Sequence, residues 1–151
     1  MKARAFNLGV LRRIFIPKIR RNSARKEWIR MQGRIVKHGD IWWCNLPDAP
    51  RSSHVTYGKH PVLVLGNEKA NLYSPVVQVL VLTSKLKRLG KTPCHVLLKT
   101  DFLPVPSVVC PEQIRSINRE TLFGTRPLGT LEKDEMAEVY TAVKQQLGLP
   151  S

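Results

Sequence analysis

The stretch VVQVLVLTS, residues 76–84, is the longest largely apolar run in the chain and decides what kind of fold the sequence can adopt. Its β-branched residues favour an extended strand. A run that is apolar at successive positions is typical of a strand buried on both faces. We therefore expect residues 76–84 to form the central strand of a sheet, with a basic segment at residues 85–91 returning the chain to solvent.

Shorter β-prone stretches lie on both sides of this central strand. They are GDIWWCNL at 39–46, PVLVL at 61–65, CHVLLK at 94–99, SVVC at 107–110 and QIRSI at 113–117. The segments between them, including GNEKANLYSP at 66–75, are polar and contain Gly or Pro, so we expect loops there. Many short strands joined by such turns indicate a small antiparallel β-barrel or sandwich.

The C-terminal segment has the periodicity of a helix. Five apolar residues recur at i, i+3, i+4, i+7 and i+11, namely Met136, Val139, Tyr140, Val143 and Leu147. Glu132, Asp134 and Glu135 suit the positive N-terminal end of this helix. Gly148, followed by Pro150, ends it. The fold class is therefore mostly β, a small β-barrel with a C-terminal α-helix packed against it.

Positive charge is concentrated near the N-terminus. The chain has 151 residues and a net charge of +14. Residues 1–30 contain ten Lys/Arg and one acid, leaving fifteen Lys/Arg and ten acids for residues 31–151. We expect a weakly ordered basic extension over residues 1–30 and a folded domain over 31–151. The extension is compatible with a transit peptide, a nucleic-acid-binding arm, or an upstream part of the reading frame with Met31 as the start. So strong a charge favours a polyanionic or acidic partner over a neutral substrate.

The cysteines indicate a reducing compartment. Cys44, Cys94 and Cys110 are odd in number and form no CxxC pair, which is unlike a disulfide framework, so we expect the protein to be cytoplasmic. The histidines are scattered, apart from His95 beside Cys94, and these spacings predict neither a metal site nor a cofactor. No apolar run approaches the ~20 residues that a membrane span needs, so no membrane partner is expected.

Four stretches occur in an order and at spacings that resemble one protein family. GDIWWCNL is similar to the family's first strand, KHPVLVL to its second, VVQVLVLTS to its third, and EQIRSINRETL to its late strand and turn. Over residues 37–149 the chain resembles the MazF/PemK toxins, mRNA interferases of type II toxin–antitoxin systems. The resemblance implies an SH3-like barrel, usually a homodimer. It also implies metal-independent cleavage of single-stranded RNA by 2′-hydroxyl attack, and an acidic antitoxin that covers the RNA site.

The resemblance places His60 where the family has an arginine before the proline. Arginine is always charged and offers a fixed fork of donors, whereas histidine exchanges a proton near neutral pH. Three interpretations are open. His60 is the general base or acid, with Lys59 or Arg51 supplying fixed charge; or the loss of arginine weakens or abolishes cleavage; or His60 is an exposed loop residue without a role.

The resemblance also implies that Thr83, at the end of the central strand, donates its hydroxyl to the scissile phosphate; the alternative is a residue chosen for strand propensity. Contacts to the phosphate or the transition state are expected from Arg51, Lys59, Ser84 and Lys85. RNA-binding residues are expected to be His54, Tyr57, Lys87, Arg88, Lys91, Gln113 and Arg115. The alternative for these polar and charged groups is that they face water.

Two other functions remain open from the sequence. One is a nucleic-acid-binding relative whose active site is weakened or inactive at His60. The other is an inhibitor of a protein target on the same fold, such as one that poisons DNA gyrase. Such an inhibitor would need neither His60 nor Thr83 for chemistry.

Overall fold

The computed structural model describes residues 35–122 and 126–150, apart from the side chain of Arg88. Its six strands are β1 (Asp40–Leu46), β2 (Gly58–Val64), β3 (Val76–Thr83), β4 (Val96–Leu98), β5 (Ser107–Asn118) and β6 (Gly129–Thr130). Its two α-helices are α1 (Glu68–Tyr73) and α2 (Lys133–Leu147), and short 3₁₀ turns span Leu86–Arg88 and Arg119–Thr121. Neither α-helix among these residues is long and apolar enough to cross a membrane. The predicted basic extension, residues 1–30, lies outside the described residues.

The six strands form one antiparallel sheet in the order β4-β5-β3-β2-β1-β6. The sheet curls into a half-barrel and α2 follows it, which confirms the predicted class of a mostly β, SH3-like fold with a C-terminal helix. β3 lies at the centre between β2 and β5, as its apolar run predicts. At the edge, the predicted strand CHVLLK is extended only over Val96–Leu98.

The apolar run of β3 is continuous because both faces of the sheet are covered. Val79 and Val81 lie on one face, in a buried cluster with Trp42 of β1. Leu80 lies on the opposite face, in a second cluster that includes Val139 of α2. Successive side chains of a strand point to opposite faces, so a strand with two dry faces needs apolar residues at every position.

The helix α2 packs on the second face with only part of its predicted apolar stripe. Met136 and Val139 are buried, as predicted. Tyr140 and Leu147 are instead 42% and 50% exposed, and Ala142 is buried. The buried stripe is therefore narrower than the prediction, and the last turn of the helix is exposed to solvent.

Both ends of α2 confirm the sequence signals. The Glu135 carboxylate accepts a hydrogen bond from the backbone N–H of Glu132 at 2.9 Å, which satisfies a donor at the helix start. At the other end, Gly148 has φ of 65°, a left-handed conformation that glycine adopts without strain. The following N–H, of Leu149, then donates to the carbonyl of Lys144 at 2.9 Å.

The stretches SVVC and QIRSI were predicted as two strands, and they form the single strand β5. The register with β3 shifts inside it: Val81 lies opposite Cys110, and the neighbouring Leu80 lies opposite Ile114. Residues 111–113 therefore form a bulge. Pro111, which has no N–H to donate to a ladder, interrupts the sequence pattern but is accommodated by the bulge.

The segment GNEKANLYSP was predicted as a loop, and this was wrong because it contains α1. The Asn67 side chain caps the helix by accepting from the N–H of Ala70 at 2.9 Å. At the C-terminal end, Nη2 of Arg119 donates to the carbonyls of Asn71 and Ser74. A helix of six residues is too short to show its own periodicity, and its end is satisfied by a residue distant in the chain.

Candidate functional site

His60 and Thr83 come together at one end of the central strands. Val62 of β2 pairs with Val81 of β3, and continuing this register by two residues on each strand places His60 opposite Thr83. Both side chains lie on the sheet face that carries the Trp42 cluster. Two residues that are 23 positions apart in the sequence thus lie opposite each other on neighbouring strands.

A main-chain hydrogen bond orients the imidazole ring of His60. Its Nδ1 lies 3.1 Å from the carbonyl oxygen of Leu82. A carbonyl oxygen only accepts, so Nδ1 carries the hydrogen of this bond. In the neutral ring Nε2 is then the unprotonated nitrogen, and no described residue bonds it. The half-buried ring therefore presents a defined proton acceptor.

The hydroxyl of Thr83 is held at the last position of β3. The residue is only 5% exposed, and its Oγ1 accepts a hydrogen bond from the backbone N–H of Lys85 at 3.3 Å. Because that bond uses a lone pair of the oxygen, the hydroxyl hydrogen is left to donate to another group. The turn that starts the basic segment thus also orients Thr83.

Lys59 points away from His60, although the two are adjacent in sequence. Lys59 pairs with Asn45 and His60 pairs with Cys44, so their side chains lie on opposite faces of the sheet. The ammonium of Lys59 lies 5.1 Å from the ring centroid of Trp43, within the range of a cation–π interaction. Lys59 therefore contacts Trp43 on the face of the sheet opposite to His60, away from the side chains of His60 and Thr83.

Gln113 and Arg115 of β5 hold the loop that joins β1 to β2. Gln113 Oε1 accepts from the N–H of Thr56 at 3.1 Å, and its Nε2 donates to the carbonyl of His54 at 3.1 Å. Arg115 Nη1 donates to the carbonyl of Thr56 at 3.0 Å, and its Nη2 donates to Gln113 Oε1 at 2.9 Å. These polar groups are directed at the backbone of the loop that carries Tyr57.

A buried thiol lies next to this clamp. The Sγ of Cys44 is 3.4 Å from Oγ1 of Thr121, which itself donates to the carbonyl of Asn118. The neutral thiol is thus the donor to Thr121. Burial raises the pKa of the Cys44 thiol, and the positive charge of Arg115 only partly opposes this. Burial likewise lowers the pKa of Arg115.

The other predicted contact residues lie in the chain segments before His60 and after Thr83, and most of their side chains are exposed to solvent. Exposed side chains include those of Arg51, His54, Tyr57, Ser84, Lys85, Lys87 and Lys91. The first three belong to the β1–β2 loop and the rest to the segment after β3. Arg88 lies in the 3₁₀ turn of that segment, and its side chain is outside the described part of the chain.

A group of possible metal ligands was missed by the sequence reasoning. His95, Cys110 and Glu112 each place one donor atom within 4.8 Å of the donor atoms of the other two. His95 Nε2 is 2.9 Å from Glu112 Oε1. Only the pairing of β4 with β5 brings His95 to Cys110, so no local spacing announced the group.

Several solved structures are similar in fold to this chain. MazF from Deinococcus radiodurans is 27% identical over 76% of this chain and 98% of its own, with a TM-score of 0.62. A MazE–MazF complex from the same organism is 25% identical over 77% of this chain and 98% of its own, with a TM-score of 0.59. An endoribonuclease from a mycobacterial species, in complex with its cognate antitoxin, is 23% identical over 78% of this chain and 97% of its own, with a TM-score of 0.59.

The sequence itself matches one family over most of its length. The model of the PemK-like, MazF-like toxins of type II toxin–antitoxin systems covers residues 37–147. This span starts before β1 and ends with the last residue of α2, so it includes every element described above. The chain belongs to the PemK-like, MazF-like toxin family of type II toxin–antitoxin systems.

Proposed function

We propose that residues 31–151 form an endoribonuclease domain that cleaves single-stranded RNA, such as mRNA, without a metal ion, as the toxin of a type II toxin–antitoxin system. Family membership supports the toxin role, and the endoribonuclease of the mycobacterial structure supports the activity. The observation that carries the chemistry is the unbonded Nε2 of His60 on the strand next to Thr83.

His60 supplies the base for the reaction. Its Nε2 takes the proton of the ribose 2′-hydroxyl while Nδ1–H stays bonded to Leu82. The 2′ oxygen then forms a bond to phosphorus, and the bond from phosphorus to the 5′ oxygen breaks. The 5′ oxygen takes a proton from water, so the products end in a 2′,3′-cyclic phosphate and a 5′-hydroxyl. A positioned base of this kind contributes roughly 10²–10⁴-fold to the rate.

Thr83 stabilises the negative charge that grows on the phosphorane. Its hydroxyl hydrogen is available because the oxygen is already bonded by the Lys85 N–H. A donor that is oriented before the reaction stabilises the transition state without reorganisation. The ammonium of Lys85 and the hydroxyl of Ser84 follow directly in the chain and complete the phosphate contacts.

The RNA strand runs between two exposed segments. Lys87, Arg88 and Lys91 bind backbone phosphates after the scissile one, where they supply affinity without reading sequence. On the β1–β2 loop, Arg51 contacts phosphate, and Tyr57 and His54 stack on unpaired bases. Gln113 and Arg115 act on RNA indirectly, by holding this loop in place.

The proposed setting is a homodimer in the cytoplasm that is neutralised by an acidic antitoxin. The mycobacterial endoribonuclease, which has this fold, is in complex with its cognate antitoxin, and this supports an antitoxin partner. The exposed lysines of residues 85–91 attract an acidic protein segment by the same electrostatics that attracts RNA. The three cysteines are buried, and none of them forms a disulfide within the described residues, which fits a reducing compartment.

The decisive experiment incubates the purified protein with a long RNA in the presence of a metal chelator. We expect discrete fragments with 5′-hydroxyl ends. His60→Gln retains a donor for the Leu82 carbonyl but cannot exchange a proton, so it should lose about 10²–10⁴-fold in cleavage rate. Thr83→Ala should lose about 10²-fold or more. His38→Gln is the matched histidine control: Nδ1 of His38 also lies 3.0 Å from a main-chain carbonyl, that of Leu65, but His38 has no part in the proposed chemistry, so cleavage should be unchanged.

Three other results of this experiment would contradict the proposal, each in a different way. RNA binding without fragments would mean a nucleic-acid-binding relative in which His60 does not replace the arginine. Growth arrest with intact RNA would mean an inhibitor of a protein target. Cleavage that His60→Gln leaves unchanged would show that His60 is not the base.

A further inference from the structure

We propose that His95, Cys110 and Glu112 form a zinc site that fastens the edge strand β4 to β5. The site contains neither His60 nor Thr83, and the proposed cleavage chemistry uses no metal. It combines one imidazole, one thiolate and one carboxylate, with water as the fourth ligand.

The strand pairing brings the three residues together. Val96 of β4 pairs with Val109 of β5, and one step further along each strand His95 lies beside Cys110. Glu112 follows two residues after Cys110, inside the bulge at residues 111–113. From this bulge the long Glu112 side chain reaches the histidine, with its Oε1 2.9 Å from Nε2 of His95.

The distances need only side-chain adjustment to accept the ion. Zinc binds N and O at about 2.0–2.2 Å and S at about 2.3 Å, so tetrahedral ligands lie roughly 3.3–3.7 Å apart. The three donor atoms lie within 4.8 Å of one another, and His95 Nε2 is 2.9 Å from Glu112 Oε1. Insertion of the ion widens the second separation by several tenths of an ångström and draws Cys110 closer.

The donor set selects the metal. A thiolate and an imidazole suit zinc, whereas calcium and magnesium require oxygen ligands. The thiolate and the carboxylate together carry two negative charges, which balance the charge of Zn²⁺. A neutral assembly lowers the cost of placing these charges in a partly buried position.

Two of the three ligands are buried, and the third is partly exposed to solvent. Cys110 is 1% exposed, and the side chain of His95 is 3% exposed. The side chain of Glu112 is 29% exposed, so a water ligand and the incoming ion have access from the solvent side. The Sγ of Cys110 lies 3.8 Å from the Val108 carbonyl oxygen, a long contact that deprotonation for zinc binding gives up at little cost.

The position explains why a fastening is useful. β4 has three residues and lies at the edge of the sheet, where β5 is its one strand partner among the described residues. So short an edge strand is held by few ladder hydrogen bonds and opens easily. A zinc ion that joins His95 to two residues of β5 fixes the start of β4 directly.

The test is a zinc titration of the untagged full-length chain after metal removal with a chelator, followed by calorimetry. We expect one zinc per chain. Cobalt as a substitute should give the charge-transfer absorption of a thiolate ligand and the strong visible bands of a tetrahedral site. Zinc should also slow amide hydrogen exchange in β4.

The variants separate the site from general effects of the thiols. Cys110→Ser should weaken zinc binding at least ~100-fold and abolish the thiolate band, since even outer partners of metal ligands are worth about 10–100-fold. Glu112→Gln, at the more exposed ligand, should also weaken binding and is the safer variant for folding. Cys94→Ser removes a buried cysteine next to His95 that is outside the group, and it should bind zinc normally.

Two results would overturn the proposal. One is the absence of zinc binding by the folded wild-type chain, in which case His95 and Glu112 are only an ion pair. The other is binding that both Cys110→Ser and Glu112→Gln leave intact, which would place the metal elsewhere. RNA cleavage is not a readout here, so neither result depends on the proposed function.

Discussion

At His60, one main-chain hydrogen bond decides which ring nitrogen can take a proton. The Leu82 carbonyl occupies Nδ1, and this leaves Nε2 as the acceptor near Thr83. An arginine at this position could supply charge but could not exchange a proton. The residue thus favours acid–base chemistry at a place where the family resemblance implies fixed charge.

Gln113 offers a test of the loop clamp. Its side chain makes hydrogen bonds to the backbone at both His54 and Thr56 and also accepts from Arg115. Gln113→Ala should destabilise the fold by roughly 1–2 kcal/mol, because it removes hydrogen bonds to the half-buried Thr56 and Arg115. We also expect faster amide exchange at Thr56 and a higher KM for RNA with a smaller change in kcat.

Gln78→Ala is the matched control for the clamp. Gln78 is exposed on β3, and its side chain makes one long hydrogen bond, 3.4 Å, to Ser116. This variant should change stability by less than about 0.5 kcal/mol and leave KM unchanged. If Gln113→Ala behaved in the same way, the loop would not depend on the clamp.

The buried thiol of Cys44 should lower the free energy of unfolding at alkaline pH. Burial raises the pKa of its thiol above the ordinary value of 9.0. As the pH rises through 9.0, the unfolded chain therefore loses this proton before the folded chain does, and the free energy of unfolding falls. One proton gives a slope of at most about 1.4 kcal/mol per pH unit.

The measurement for Cys44 is urea unfolding between pH 8 and the alkaline limit of reversible folding. Stability should be independent of this thiol below its unfolded pKa and should decline above it. Cys44→Ala should make the decline shallower, whatever its cost at neutral pH. Parallel curves for the two proteins would contradict the linkage.

Among the secondary-structure elements, the bulge of β5 has the largest effect on the site. It shifts the register by three residues, so that Cys110 faces Val81 while Ile114 faces Leu80. Glu112 and Gln113 then project where a regular ladder would not place them. One element thus serves both the loop clamp and the proposed zinc site.

The helix α2 gives an element-scale prediction about which of its apolar residues matter. Val139 is fully buried in the second cluster, whereas Leu147 is 50% exposed. Val139→Ala should lower the free energy of unfolding by roughly 1–3 kcal/mol, and Leu147→Ala by less than about 0.5 kcal/mol. Equal losses in chemical denaturation would mean that the predicted stripe, rather than the observed one, packs against the sheet.

At the scale of the whole molecule, positive charge is distributed unevenly along the chain. Residues 31–151 carry a net charge of about +5, from fifteen Lys/Arg and ten acids, and the remaining excess belongs to residues 1–30. Within the described residues, Lys85, Lys87 and Lys91 follow β3 closely. These three exposed lysines place positive charge in the segment that directly follows Thr83.

Salt dependence measures how many of these lysines contact phosphate. Each contact to a single strand contributes about −0.7 to the slope of log K against log salt. Lys85→Ala, Lys87→Ala and Lys91→Ala should each make the slope shallower by about that amount, measured with a 2′-O-methyl RNA that cannot be cleaved. Lys144→Ala, on α2, should leave it unchanged; equal effects at all four would indicate only a general charge effect.

The sequence by itself determined the family, the mostly β class, the central strand and the C-terminal helix. These depend on composition, periodicity and motif order, which are local properties. Only the tertiary structure decided that Lys59 and His60 face opposite sides of the sheet, that Gln113 and Arg115 bond a loop, and that His95 meets Cys110. Each of these depends on register between segments far apart in the chain, and a bulge of three residues changes that register without changing any local pattern.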